Sequence, residues 1–328
     1  MDIENLGELL DYLRATGRIA PNELPEYRIL RGGVSNRVVE LARPEGGTWV
    51  LKQALAKLRV ADEWFSPPER ILREAAGMEA LWRIASAGSI TRLLFTDPDN
   101  YLLAMEGVPE PHDNWKTILL AGTVETSHFI QFASLLAAIH RGGTAPEFQK
   151  EFDDRSFFES LRIEPYYLTT ANRVPEAKAF LLALVDETRA RRVSLVHGDY
   201  SPKNILIYEG RLVLLDHEVI HFGDPAFDIG FSMAHFLSKA HHMKSVRDAL
   251  VAAANFFWQV YSQCGGLAAE DTSIRHTLGC LLARVAGRSR LEYLSEDEKS
   301  RQSAAVLALM PDPPRTMREL TTRFLEPL

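Results

Sequence analysis

The chain has 328 residues, of which 46% are hydrophobic and 25% charged, so it can bury a full core and is not disordered, collagen-like or of low complexity. Its net charge of −7 gives no electrostatic reason to expect nucleic acid or an anionic membrane surface as partner. Two cysteines, Cys264 and Cys280, stand in no metal or redox spacing, and no apolar run approaches ~18 residues. The acidic start MDIENLGELL is helix-like rather than a signal peptide, which predicts a cytoplasmic protein with both thiols free.

Leucines at helical spacing predict a helix over 4–15, broken by Pro21 and Pro25. A strand from Glu26 to Leu30 ends in the turn Arg31-Gly32-Gly33-Val34-Ser35-Asn36, and alternation resumes over Arg37–Leu41. Glycine lets a backbone approach phosphate oxygens, making Gly33, Ser35 and Asn36 candidates for a nucleotide. A plain hairpin turn is the alternative, and the sequence is not a GxxxxGK[ST] loop. Thr48–Ala54 reads as a third strand, with Lys52 on the same face as Val50. A lysine among strand apolars is either a snorkelling edge residue or a phosphate-pairing charge, and the second needs a carboxylate partner.

Pro67-Pro68 opens a helix whose apolar stripe is Ile71, Ala75, Met78, Trp82 and Ala85. Glu74 lies about 60° from the stripe centre and Glu79 about 80°, so Glu74 is the better candidate to reach Lys52. Strands over Ile90–Thr96 and Tyr101–Met105 flank the turn Asp97–Asn100, and Glu106-Gly107-Val108-Pro109 reverses the chain like a hinge. Residues 1–106 thus predict a small, mostly antiparallel lobe, and 107–328 a mainly helical one. Helices are expected around Phe129–Ile139, Ala177–Ala190, Ser245–Gln263, Ser273–Arg284, Glu298–Leu309 and Thr316–Phe324.

Between them lies LVHGDYSPKNILIYEGRLVLLDHEVIHFGDPAFDIGF, residues 195–231. Apolar runs Asn204–Tyr208 and Arg211–Leu215 flank the turn pair Glu209-Gly210, which predicts a hairpin whose ends bring Asp199, Asn204, Asp216 and Glu218 together. Pro202 disfavours helix, placing Asp199 and Asn204 on a tight loop. Hard oxygen acceptors gathered this way suit a divalent cation plus one carboxylate as base, the needs of phosphoryl transfer. Asp216 and Asn204 are then metal-ligand candidates, Glu218 a further one and Asp199 the base. Asp224 and Asp228 read as structural, Asp228 bracing the loop from behind.

The order strand–GGVSN–strand, Lys52, Glu74, hinge, HGDYSPKN and LLDHE resembles the aminoglycoside phosphotransferase / choline kinase branch of the protein-kinase-like fold, from about residue 26 to 290. The resemblance implies an α+β, bilobal fold with ATP and Mg²⁺ in the cleft. It implies Lys52 on the phosphates paired with Glu74, Asp199 as base, Asn204 and Asp216 on the metal, and adenine read near Met105, Glu106 and Val108. VLKQALAKLRVADEWFSPPERILREA and Asp216-His217-Glu218 look like the corresponding segments of 5-methylthioribose kinases. Ala283-Arg284 stands where those enzymes carry an arginine pair facing the sugar, so this chain departs from them there. HGD and DHE replace HRD and DFG and no APE follows, which disfavours a protein substrate. The expected activity is transfer of the γ-phosphate to a small-molecule hydroxyl, sugar-like in the first reading. Aminoglycosides, choline or an amino alcohol are the alternatives, as is nucleotide binding without turnover. Trp115, Arg284 and Arg288 are candidates for the acceptor pocket, and the protein is expected to be a monomer or homodimer.

Overall fold

The polypeptide opens with helix α1 (Leu6–Ala15), which Asn5 caps by accepting the Gly7 and Glu8 amides. The computed structural model describes residues 1–30, 33, 35–59 and 63–328; Arg31, Gly32 and Val34 of the glycine turn, with Val60, Ala61 and Asp62, lie outside the described residues. Strands β1 (Glu26–Ile29), β2 (Asn36–Ala42), β3 (Thr48–Ala54), β4 (Leu93–Asp97) and β5 (Leu102–Glu106) form a sheet in the order β1-β2-β3-β5-β4. Every pairing in it is antiparallel.

Strand alternation gives this sheet two different faces. On one, Leu9 and Leu13 of α1 pack with Val39, Leu41, Leu51, Leu102 and Ala104. The other carries Val50 opposite Met105 and Lys52 opposite Leu103. Helix α2 (Arg70–Ile84) lies against this second face through Ile71, Ala75 and Met78. The predicted stripe fails at its end: Trp82 is 51% exposed, and Leu81 is buried instead. The last turn of α2 has left the sheet, and Ala80 and Leu81 join the larger core of the helices that follow.

Strand β4 starts at Leu93 rather than Ile90. Ile90 forms a parallel bridge to Leu214, and the Ser89 carbonyl accepts the Leu214 amide at 2.8 Å. A segment predicted as sheet therefore ties the first part of the chain to the hairpin. Next come β6 (Asp113–Asn114), α3 (Trp115–Leu120), α4 (Thr126–Gly142), α5 (Pro146–Phe152) and α6 (Ser156–Phe158). A π-helical stretch, Glu159–Leu168, leads into α7 (Thr169–Arg173) and α8 (Lys178–Ala190). Pro165 inside it lacks the N–H of a regular α-turn. It also interrupts the periodicity, which is why no element is predicted between 146 and 173.

The predicted hairpin is β8 (Ile205–Tyr208) and β9 (Arg211–Leu214), turned by Glu209 at φ 48° and Gly210 at φ 72°. It is nested inside a second ladder, β7 (Ser194–Val196) paired antiparallel with β10 (His221–Gly223). Helices α9 (Ala226–His242), α10 (Arg247–Gln263), α11 (Glu270–Ala286), α12 (Glu296–Leu309) and α13 (Met317–Leu325) complete the chain. Helix α9 is buried along nearly its whole length, as an all-round apolar helix must be.

Seven histidines are buried with their pKa values lowered: His128, His197, His217, His221, His235, His241 and His276. Burial is the leading cause in each, bringing His221 to about 4 and His276 to about 3. An unfolded chain takes up these protons near pH ~6.5 while the native state excludes them, so stability present above that pH is lost as pH falls towards the native values. The buried carboxyls pushed upwards, Glu74, Glu218 and Asp224, work in the opposite sense and are outnumbered. Denaturant midpoints should therefore fall between about pH 6.5 and 4, with a shallower slope in His276→Gln. A flat profile, or an unchanged slope in the variant, would contradict this.

Candidate active site

The loop that carries Asp199 leaves β7 at His197-Gly198. Gly198 has φ +77°, and a Cβ there would come within 2.9 Å of the Val219 carbonyl, so only glycine fits. Asp228, in the first turn of α9, accepts the His197 amide at 2.7 Å and the Gly198 amide at 2.8 Å, and meets His140 Nε2 at 3.2 Å. Burial alone would raise its carboxyl, but His140, His197 and the Gly198 amide hold it below the usual carboxylate range. The bracing role expected for Asp228 is thus present as geometry.

Asp199 is gripped at both oxygens. Arg162, from the π-helical stretch, reaches Oδ1 at 2.8 Å, and Asn204 Nδ2 donates to Oδ2 at 2.6 Å. Asn204 arrives on a 3₁₀ turn begun by Pro202, and its Nδ2 also donates to the Asp199 carbonyl at 3.0 Å. With its amide nitrogen committed, Asn204 keeps its Oδ1 free of any partner among the described residues. A carbonyl oxygen of that kind suits a hard cation.

At the far end of the hairpin the Leu215 amide bonds to the Asn204 carbonyl at 2.9 Å, which locks the two loops together. Asp216 follows in the left-handed region at φ 68°, which is uncommon for a non-glycine residue. Its Oδ1 meets Lys52 Nζ at 3.2 Å, and the same ammonium lies 2.6 Å from Glu74 Oε1. Burial is the largest influence on all three. It pushes Glu74 up to about 7 against the pull of Lys52. For Lys52 it is outweighed by Asp216 and Glu74, which raise the ammonium, and for Asp216 by Lys52 and Lys203, which hold it below the usual range. The structure pairs Lys52 with Glu74, while Glu79 is exposed.

Glu218 is engaged from a direction the sequence did not reveal. Arg70, fully buried as the first residue of α2, gives its Nε to Glu218 Oε2 at 3.0 Å. Its Nη1 donates to the carbonyls of Ser66 and Pro67, and its Nη2 to those of Leu55 and Ser35. Asn36 Nδ2 lies 3.4 Å from the same Glu218 oxygen. Arg70 therefore ties the glycine turn, the end of β3 and α2 to the acidic loop. A cation at a helix N-terminus opposes the macrodipole, and that misfit is the signal that could have singled it out. Burial, then Asp216, pushes Glu218 up against Arg70 and Lys52. Its Oε1 has no partner among the described residues.

The donor set of Asn204 Oδ1, Asp216 and Glu218 Oε1 is all oxygen and fits magnesium better than a thiophilic metal. Among the described residues no three His, Cys, Asp or Glu side chains form a ready-made metal cage. A cation held by one or two carboxylates and nucleotide phosphates needs none.

Of the other predicted residues, Ser35 lines the cleft, whereas Gly33 is exposed and Asn36 is turned towards Arg70 and Glu218. Met105 is buried against α2 and accepts from Thr91 Oγ1 at 3.3 Å. The Glu106 amide is used by the Arg92 carbonyl and the Gly107 amide by the Thr48 carbonyl. Adenine reading there would fall to backbone carbonyls and the Val108 amide.

A cavity of about 360 Å³ is lined by Asp199, Asp216 and Glu218 together with Arg162, Arg284 and Arg288. Trp115 does not line it, correcting the sequence expectation. It is fully buried, edge-on to Phe129, Phe132 and Phe236 at 5.1, 4.9 and 5.9 Å. Asn114 caps α3 and points the next side chain into the aromatic core. Besides Arg70, sequence reasoning missed Arg162 and Tyr166, which lie in a stretch without clear periodicity.

A lysine–glutamate pair beneath a five-stranded antiparallel sheet, facing an Asp–Asn loop and an aspartate at a strand end, defines the bilobal protein-kinase-like fold. The chain belongs to the phosphotransferase enzyme family, which it matches over residues 26–265. It is similar to methylthioribose kinase from Klebsiella pneumoniae, 24% identical over 249 residues, which cover 66% of this chain and 61% of that one. The match thus spans less than two thirds of that relative's length. Among solved structures, a choline/ethanolamine kinase family protein from Mesorhizobium loti aligns with a TM-score of 0.57 at 16% identity, covering 98% of this chain and 99% of the other. An amicoumacin kinase in complex with AMP-PNP and Ca²⁺ aligns at 0.56 and 14% identity, covering 98% and 99%. These structural likenesses carry the fold.

Arg70→Leu removes one partner of a buried pair and strands Glu218. The substitution should destabilise the protein by about 3–5 kcal/mol in denaturant titrations. A loss below about 1 kcal/mol, the range of an exposed ion pair, would contradict the hub assignment.

Proposed function

We propose that the protein is an ATP-dependent phosphotransferase that moves the γ-phosphoryl group of Mg·ATP to a hydroxyl of a small molecule. One observation supports this above the rest: four separated stretches bring Lys52–Glu74, Asp199, Asn204 and Asp216 together, with Asp199 and Asp216 lining one cavity, Lys52 bonded to Asp216 and Asn204 bonded to Asp199. In this reading residues 1–106 form the nucleotide lobe and 107–328 the catalytic and acceptor lobe, in a cytoplasmic enzyme. No helix among the described residues is long and apolar enough to cross a membrane.

Lys52, steadied by Glu74, pairs with the phosphates near the nucleotide's inner end. Magnesium would be held by Asn204 Oδ1 and Asp216, with Glu218 in reach, and would supply positive charge that stabilises the transferring phosphoryl group. Asp199 orients the acceptor hydroxyl and takes its proton as the new O–P bond forms and the bond to the ADP oxygen breaks. The Arg162 and Asn204 contacts fix the plane of that carboxylate. A carboxylate fixed in this way suits a loose transition state in which positioning matters more than basicity.

ADP release should be measured with Mg·ATP and a panel of methylthioribose, D-ribose, D-ribose 5-phosphate, D-ribonate, choline and aminoglycosides. Asp199→Asn is expected to lower kcat by about 10²–10⁴-fold, with AMP-PNP affinity retained. Equal turnover by wild type and variant would overturn the assignment of Asp199. Absence of turnover with every acceptor, together with intact nucleotide binding, would favour a non-catalytic binding protein.

A further inference from the structure

Two groups of charges line the cavity. Asp199, Asp216 and Glu218 form one, with Arg162 and Lys203 beside them. The other comes from the end of α11, the turn after it and α3, and holds the cations Arg284, Arg288, Arg290 and Lys116, with Glu292 among them. Two of these cations are matched, Lys116 by Glu292 and Arg288 by Glu164 at 3.0 Å. Arg284 is not. It is 9% exposed, and its Nη1 donates only to neutral oxygens, the Tyr166 hydroxyl at 3.0 Å and Ser289 O and Oγ at 2.6 and 2.7 Å. Its Nε is buried without a partner. Arg290 is exposed and has no ion-pair partner among the described residues.

Beside this second group lies a further cation that the phosphotransferase reading does not use. Lys239 on α9 is fully buried; its Nζ has only the His235 carbonyl at 3.4 Å and the face of Tyr293 at 5.5 Å. Burial, then Lys116 and Arg284, lower it to about 7, with Glu292 alone opposing. His235, which lines the cavity, is also lowered, by burial and then by Arg284, Lys239 and Lys116. Cations gathered in a low-dielectric wall repel one another and focus a positive field into the cavity. The ring of Tyr166 touches both groups, with Arg162 Cζ 5.7 Å and Arg284 Cζ 5.8 Å from its centroid.

We propose that the acceptor carries an anionic group, a carboxylate or a phosphate, which docks on Arg284 and Arg290 while its hydroxyl lies at Asp199. The proposal rests on the phosphotransferase reading and narrows its substrate class. Arg284 Nε supplies an unused donor inside the wall, and Arg290 a second cation at the rim. Polycationic aminoglycosides and choline would meet like charge there, and a neutral sugar would leave the guanidinium unmatched.

The test uses the full chain saturated with AMP-PNP and Mg²⁺, titrated calorimetrically with D-ribose, D-ribose 5-phosphate, D-ribonate and choline. Ribose 5-phosphate or ribonate should bind at least tenfold more tightly than ribose. Loss of a charge-assisted hydrogen bond should weaken that ligand about ten- to a hundredfold in Arg284→Gln and in Arg290→Gln. Stronger binding of the phosphate or of the carboxylate identifies which anion is read. In Mg·ATP assays the variants should raise KM for the anionic acceptor far more than they lower kcat. Arg290 is exposed, so its variant keeps the test valid if Arg284→Gln fails to fold. Binding of ribose or choline as tight as that of either anion, binding of neither anion, or indifference to Arg290→Gln would overturn the proposal. Failure of AMP-PNP itself to bind would overturn the phosphotransferase reading instead.

Discussion

Lys52 stands between two carboxylates from distant parts of the chain, and the rest of the site depends on that position. Glu74 comes from α2 and Asp216 from the loop after β9, and both lie within 3.2 Å of one ammonium. The pair holds Lys52 upright beneath the sheet and couples the first hundred residues to the hairpin. With Arg70 on Glu218, two cations pair with three carboxylates in this cluster. Burial, reinforced by the neighbouring carboxylates, raises Glu74 and Glu218, and a divalent cation would offset the negative charge gathered there.

The second constraint is topological. A hairpin nested inside the β7–β10 ladder returns the chain twice to the same place, so residues seventeen positions apart, Asp199 and Asp216, share a cavity. Asp228 secures the outer ladder by taking two backbone amides of the catalytic loop. Buried carboxylates are expensive unless such donors surround them. Here that cost is met by interactions that also hold the loop in place.

Much of this was legible in the sequence because it is local. The Lys52 face followed from strand alternation, Glu74 from helical angle, and the convergence of Asp199, Asn204 and Asp216 from a two-residue turn. What escaped depends on partners far along the chain. Arg70 looked like a charged residue at a helix start, and only the fold reveals Glu218 and the Ser35 carbonyl around it. Arg162 lies in a proline-interrupted π-helical stretch with no clean period. Trp115 and Trp82 were misjudged for the same reason: a tryptophan's burial is decided by the neighbouring element, and here one faces the aromatic core while the other faces outwards.

The most direct measurement is a crystal structure of the protein with AMP-PNP and Mg²⁺. The account predicts a metal ion at roughly 2.0–2.1 Å from Asn204 Oδ1 and the Asp216 carboxylate. Lys52 should be bonded to the nucleotide phosphates while it keeps Glu74. A metal bound away from Asn204 and Asp216, or a nucleotide whose phosphates do not reach Lys52, would contradict it.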